Sequence, residues 1–147
     1  MKQNLDWINA MCYDYCGSWD VSVTGAHAAL YDPKNISEYT TDKGLQSWID
    51  AGIPPSKLVM GLPLYGRTWT LKDPTLQGIG AAATGIGPGD KGTMTYAEIV
   101  RFNSQHKVKE IYDQGPHILV RGLRGLGTII YVPSLAATAV EDREAGV

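Results

Sequence analysis

Residues 5–13, LDWINAMCY, place Trp7, Ile8, Met11 and Tyr13 as bulk in an apolar run stopped by Asp14 and Gly17, the pattern of a buried strand. Residues 17–35 read as a long loop punctuated by Gly25, Asp32 and Pro33, although the HAALYDP stretch is too apolar for a plain linker. Over residues 38–51 the spacing turns helical. Tyr39, Leu45, Trp48 and Ile49 fall on one side, Gly52 follows where a helix commonly ends, and Ile-Pro-Pro prevents continuation. Residues 57–62, KLVMGL, predict a second short buried strand. Strand, helix and strand in that order make one βαβ crossover, which predicts a parallel pair with a covering helix.

After Tyr65-Gly66-Arg67 the pattern changes. RTWTL predicts a strand of another type, GIGAAATGIGPGDKG a glycine-rich loop, and residues 95–103 a short helix opened by a Thr95/Glu98 capping box. KVKEIYD alternates as a half-exposed strand does. This block has antiparallel character and reads as an insertion following the second strand of the parallel unit. Beyond it, residues 128–132 predict one more strand, and the polar LAATAVEDREAGV a frayed helix or disorder. The expected organisation is therefore a parallel α/β part over residues 1–67, a small α+β insertion over 68–113, and a divergent tail over 114–147.

Composition narrows the function. With 147 residues, 44% apolar and 19% charged, the chain is long enough for one folded core. A net charge of −2, with no basic patch interleaved with aromatics, argues against a nucleic-acid partner. No apolar run reaches membrane-span length, and MKQNLDWINA has no apolar h-region, so neither a membrane anchor nor a secretory signal is expected. Cys12 and Cys16 read as two buried free thiols, unless a sharp turn at Asp14 and Tyr15 brings them within bridging range. His27, His106 and His117 are scattered and suggest no metal, and no cofactor is implied. GIGPGDKGT lacks the ending of a phosphate-binding loop. Asn35-Ile36-Ser37 is a glycosylation sequon that matters only in a secretory compartment.

Candidate chemistry sits where the first strand ends, MCYD, and where the second gives way to PLYGRTW. In parallel α/β sheets, functional groups gather at the carboxyl ends of strands. Tyr13, Asp14, Tyr65, Arg67 and Trp69 can then line one cleft. Two phenols, a carboxylate, a guanidinium and an indole suit a neutral, hydroxyl-rich ligand, because aromatic faces cover sugar CH groups while polar tips bond hydroxyls and amides. Each aromatic on its own has an equally ordinary role in a core.

The segments NLDWINAMCYDYCGSW, TGAHAALYDP, SWIDAGIPPSKLVMGLPLYGRTWTL and GIGAAATGIGPG resemble, in order, the family-18 glycoside hydrolases, specifically plant class V chitinases. The likeness runs over residues 4–113. It implies a partial (β/α)8 TIM barrel, with the two strands as the sixth and seventh of the barrel and the following block as the small α+β chitinase insertion domain. It also implies that Tyr13 and Asp14 match the Tyr-Asp of a Met-x-Tyr-Asp motif holding a substrate N-acetyl group. Met11 matches that motif's Met on the pocket floor, and Tyr65 and Arg67 match a Tyr-Gly-Arg that contacts sugars. The implied partners are chitin or N-acetylglucosamine oligosaccharides, and the family is usually secreted or vacuolar.

The departures from the family are as informative. Substrate-assisted catalysis, the exception to the two-carboxylate scheme, still needs a general acid. In the family that acid ends an Asp-x-x-Asp-x-Asp-x-Glu motif, and no such run occurs here; Asp142-Arg143-Glu144 lies in the polar tail without an apolar strand before it. A (β/α)8 barrel takes about 250 residues, so this chain has room for only part of one. LGTIIYVPS, the candidate last barrel strand, lacks the Trp that ends the family's eighth strand. The chain is thus expected to carry sugar-binding groups without a catalytic residue. It would bind chito-oligosaccharides without cleaving them, would need a complementing barrel half, or would be a truncated product with no function of its own.

Overall fold

In the computed structural model, which describes residues 4–32, 35, 37–108, 110–113, 118–123 and 127–133, the first apolar run yields a short strand, β1 (Ile8–Ala10). A crossover returns the chain through α1 (Thr41–Asp50) and a 3-10 turn (Pro55–Lys57) to β2 (Leu58–Met60). The strands pair in parallel, Ile8 opposite Leu58 and Ala10 opposite Met60, so the expected βαβ unit is present. β1 is shorter than the apolar run because pairing stops where Gly61 N–H donates to the Ala10 carbonyl at 2.9 Å.

Helix α1 starts later than the spacing predicted. Thr40 caps it, its hydroxyl accepting from Lys43 N–H at 3.3 Å, which leaves Tyr39 outside the helix and exposed. At the other end Gly52 N–H reaches the Ile49 carbonyl at 2.7 Å and Ile53 N–H the Trp48 carbonyl at 3.0 Å. That pair of bonds is a Schellman stop, and Gly52 takes the left-handed φ of 86° it demands.

The second sheet is antiparallel and six-stranded. Its strands are β3 (Tyr65–Leu71), β4 (Ala83–Ile86), β5 (Thr93–Thr95), β6 (Glu110–Asp113), β7 (Ile118–Leu123) and β8 (Thr128–Pro133). The order is β4-β3-β8-β7-β6, with β5 also paired to β3. Helix α2 (Tyr96–His106) opens on the anticipated capping box, Thr95 N–H donating to Glu98 Oε2 at 2.8 Å and Glu98 N–H to Thr95 Oγ1 at 3.3 Å.

The two-residue period of β8 divides the core. Ile129 and Tyr131 join Trp69, Leu71, Ala26 and Ala29 on one face, while Ile130 and Val132 join Met94 and Ile99 on the other, with Phe102 packed against them. Ala29 of the HAALYDP stretch, with Ala26 just before it, lies against this sheet, which accounts for apolar character there. Trp69 and Tyr131 meet edge to face, centroids 5.8 Å apart.

Three expectations are corrected. Residues 128–132 do form a strand, but β8 lies between β3 and β7 and not beside β2, so it is no last barrel strand. Burial on both faces requires the interior of a covered sheet, and this sheet provides it. Within the stretch expected as a tail, β7 and β8 belong to this sheet, and the expected boundary at residues 67 and 68 falls within β3. Finally, β4 lies inside the predicted glycine-rich loop: an edge strand tolerates Gly85, which a central one resists. The segment LAATAVEDREAGV, with Asp142 and Glu144, and His117 lie outside the described residues.

Ile99, fully buried between α2 and the sheet, tests this core. Ile99→Ala is expected to lower unfolding stability by about 2–5 kcal/mol, whereas Leu76→Ala, at a side chain 65% exposed, leaves the urea midpoint nearly unchanged.

Candidate functional site

Where β1 ends, the chain turns sharply. Asp14 adopts the left-handed region, φ 61°, a conformation costly for most side chains and tolerated by Asp. The turn presents its carboxylate to Arg67 of β3. Arg67 Nη2 and Nε both donate to Asp14 Oδ1, at 2.6 and 3.0 Å. Arg67 Nη1 donates to Thr93 Oγ1 at 2.8 Å, so β5 fixes the other side of the guanidinium. The pair thus ties the end of the parallel unit to the start of the antiparallel sheet.

Aromatic rings surround the pair. Tyr65 meets Tyr13 edge on, centroids 6.2 Å apart. The Arg67 guanidinium lies 5.6 Å from the Tyr65 centroid and 5.1 Å from that of Trp19, within cation–π range of both. Trp19 is 61% exposed. Gly17 makes room for its ring: a Cβ there would come within 2.8 Å of the indole.

Electrostatics follow from these contacts. Partial burial pushes the Asp14 pKa up, but hydrogen bonds from Tyr65 and Arg67, with the Arg67 charge, outweigh it and hold the carboxyl below its ordinary range. Burial, then the Asp14 carboxylate, raises the Tyr65 phenol, which stays a protonated donor. His27 lies beneath, 1% exposed, its ring 5.2 Å from that of Tyr65 and its Nδ1 3.9 Å from Asp14 Oδ1. Burial lowers its pKa from 6.5 to about 4, against the Asp14 charge that favours the protonated ring. Neither ring nitrogen makes a hydrogen bond of ordinary geometry, although the Tyr65 carbonyl is close enough to favour protonation.

Behind the turn, Cys12 is buried and its thiol pushed up by that burial. The Tyr15 hydroxyl and Thr41 Oγ1 are 3.0 Å apart. Cys16 is raised to about 12, again chiefly by burial. Both thiols are free. Among the described residues no group of three or more His, Cys, Asp or Glu could hold a metal ion, and no helix is long and apolar enough to cross a membrane.

The structure therefore brings together Tyr13, Asp14, Tyr65 and Arg67. Met11, 68% exposed, lies just before the turn. Trp69 is a correction. It shares the Tyr65 and Arg67 face of β3, but the segment from Cys16 to Ala29 covers that face from Trp69 onward. Its ring is 1% exposed and its Nε1 donates to the Asp20 carbonyl at 3.2 Å, so it offers no surface to a ligand. Sequence reasoning missed Trp19 and His27. The signal for Trp19 was an indole in a glycine-led turn five residues after Asp14; His27 had none, since a lone histidine in an apolar stretch reads as core.

Residues 1–119 match the profile of glycosyl hydrolases family 18. The chain belongs to that family. Relatives include the class V chitinases CHIT5a of Medicago truncatula, 52% identical over 114 residues, and CHIT5 of Lotus japonicus, 49% identical over 114 residues. Each comparison covers 78% of this chain, but the chain spans only 29% and 28% of those relatives. Among solved structures, a class V chitinase from Nicotiana tobaccum, crystallised as a mutant with NAG4, superposes with a TM-score of 0.85 at 32% identity. That match covers 97% of this chain and 42% of the other. Such neighbours imply a TIM-barrel-like fold.

The buried histidine makes stability depend on pH. The unfolded chain takes up the His27 proton near pH 6.5 and the folded chain only near about 4, so the contribution is complete above pH 6.5 and is lost as pH falls towards 4. Unfolding free energies of the wild type from urea titration are expected to drop more steeply across that window than those of His27→Gln, by a difference on the order of 3 kcal/mol.

Proposed function

We propose that this chain is the saccharide-binding part of a chitinase-type family-18 fold, taking β-1,4-linked N-acetylglucosamine oligosaccharides against Tyr13, Asp14, Tyr65 and Arg67, with Met11 at the floor and Trp19 as a stacking wall. The six-stranded sheet with α2 corresponds to the chitinase insertion domain, and β1 and β2 to the sixth and seventh barrel strands. The observation that carries the reading is the Arg67–Asp14 fork ringed by three aromatics. It presents a fixed carboxylate and a phenolic donor beside flat apolar faces, the combination an N-acetylated sugar calls for. The NAG4-bound relative and the (GlcNAc)4 and (GlcNAc)3 complexes of Cycas revoluta chitinases support it.

The chain alone binds without hydrolysing. A general acid must keep its proton until the leaving oxygen needs it, which calls for a raised pKa. Asp14 is held on the ionised side by Arg67 and Tyr65. The 147 residues contain no Asp-x-Asp-x-Glu run to supply another.

Chitotetraose titrated calorimetrically into the purified chain is expected to bind at millimolar concentration, several-fold more weakly after Trp19→Ala or Tyr65→Ala. A fluorogenic chitotriose substrate is expected to turn over no faster than with Tyr13→Phe. Absence of heat removes the binding reading; turnover above that control removes the claim that the chain lacks its own acid.

A further inference from the structure

His27 is a buried polar side chain that the reading above leaves without a role. Its neighbours Ala26, Ala28 and Ala29 are all buried too. Its backbone carbonyl accepts from Tyr15 N–H at 3.0 Å, which fastens the residue to the turn carrying Asp14. Its side chain reaches under that turn, ring against Tyr65 and Nδ1 3.9 Å from Asp14 Oδ1. An apolar ring would fill the same space without leaving two nitrogens unbonded, a cost proteins ordinarily avoid. The cost is borne beside the one oxygen on which Arg67 Nε and Nη2 converge.

We propose that His27 is a positioning residue of the cleft: while neutral it shelves the Tyr65 ring and leaves Asp14 Oδ1 to Arg67, and once protonated it competes with Arg67 for that oxygen and loosens the cleft. The titratable and charged groups around the ring, among the described residues, are Asp14 on the turn after β1 and Tyr65 and Arg67 on β3. A second cation beside Arg67 is repelled by it and attracted by Asp14, so protonation can be relieved only by moving the carboxylate inward. Its low proton affinity keeps His27 neutral at ordinary pH, as this role requires. The inference rests on the saccharide reading for the identity of the ligand, and on geometry alone for the coupling between His27 and Asp14.

The test follows the Asp14 carboxyl carbon by NMR through acid pH, and chitotetraose affinity at pH 7 and at the lowest pH where the chain stays folded, in the wild type, His27→Phe and His27→Gln. In the wild type the Asp14 signal should bend with the His27 ring titration, and affinity should fall several-fold towards acid. His27→Phe keeps a ring under Tyr65 and removes the nitrogens; it should abolish the bend and flatten the pH dependence. His27→Gln, which cannot titrate, should do the same and serves if the Phe variant does not fold. An Asp14 curve unchanged by either variant overturns the proposal, as does an equal pH dependence of affinity in all three proteins. Should the wild type bind no chitotetraose, the saccharide reading fails and the Asp14 curve alone decides: a bend lost in the variants upholds the coupling, and its absence overturns it.

Discussion

The Asp14–Arg67 contact is the constraint around which the rest of the structure is arranged. It joins a parallel unit to an antiparallel sheet, and it is made by a residue whose backbone is itself unfavourable. A left-handed conformation costs a non-glycine residue about 1–2 kcal/mol. Two charge-assisted bonds from one guanidinium, with a third from Tyr65, contribute about 1.5–3 kcal/mol each at full burial. This pair is partly open to solvent, with side chains 13% and 30% exposed, so the gain is smaller. Strain held by polar contacts at the end of a strand is a frequent mark of a functional position.

Strand β3 does two jobs along one face. At its beginning, Tyr65 and Arg67 meet Tyr13, Asp14 and Trp19; further on, Trp69 and Leu71 of the same face enter the core. The segment from Cys16 to Ala29 follows the whole of that face, but it buries Trp69 and Leu71 at the far end, while at the near end it lays Trp19 beside Arg67 and His27 beside Tyr65. The Asp14–Arg67 pair is thereby backed by close packing on one side. On the other side the parallel unit leaves Leu5, Trp7, Met11, Val59, Leu62 and Leu64 exposed. Parallel sheets are ordinarily covered on both faces, and the chain spans 29% of its Medicago relative and 42% of its Nicotiana neighbour.

Local chemistry was legible wherever it acts within a few residues. The Gly52 stop, the Thr95–Glu98 box and the βαβ order are properties of short windows, and the sequence pattern located them. Sheet order was not legible. Nothing in TIIYV says that β8 pairs with β3 and β7 and not with β2, because burial on both faces suits an interior strand of either sheet. Within the candidate site, Tyr13, Asp14, Tyr65 and Arg67 could be named because polar groups closing apolar runs are unusual. Trp69 was misplaced because alternation gives the face of a strand and not what covers it. His27 was passed over because its partners lie 13 residues before it and 38 after, a distance that only the fold closes.

The most direct measurement is a double-mutant cycle across the junction, Asp14→Asn and Arg67→Gln singly and together, by urea unfolding. Asparagine tolerates the left-handed backbone, so the cycle isolates the charge contact from the turn. A coupling of about 1–3 kcal/mol, disappearing as acid protonates Asp14, is expected. Single effects that add to within about 0.5 kcal/mol would contradict it.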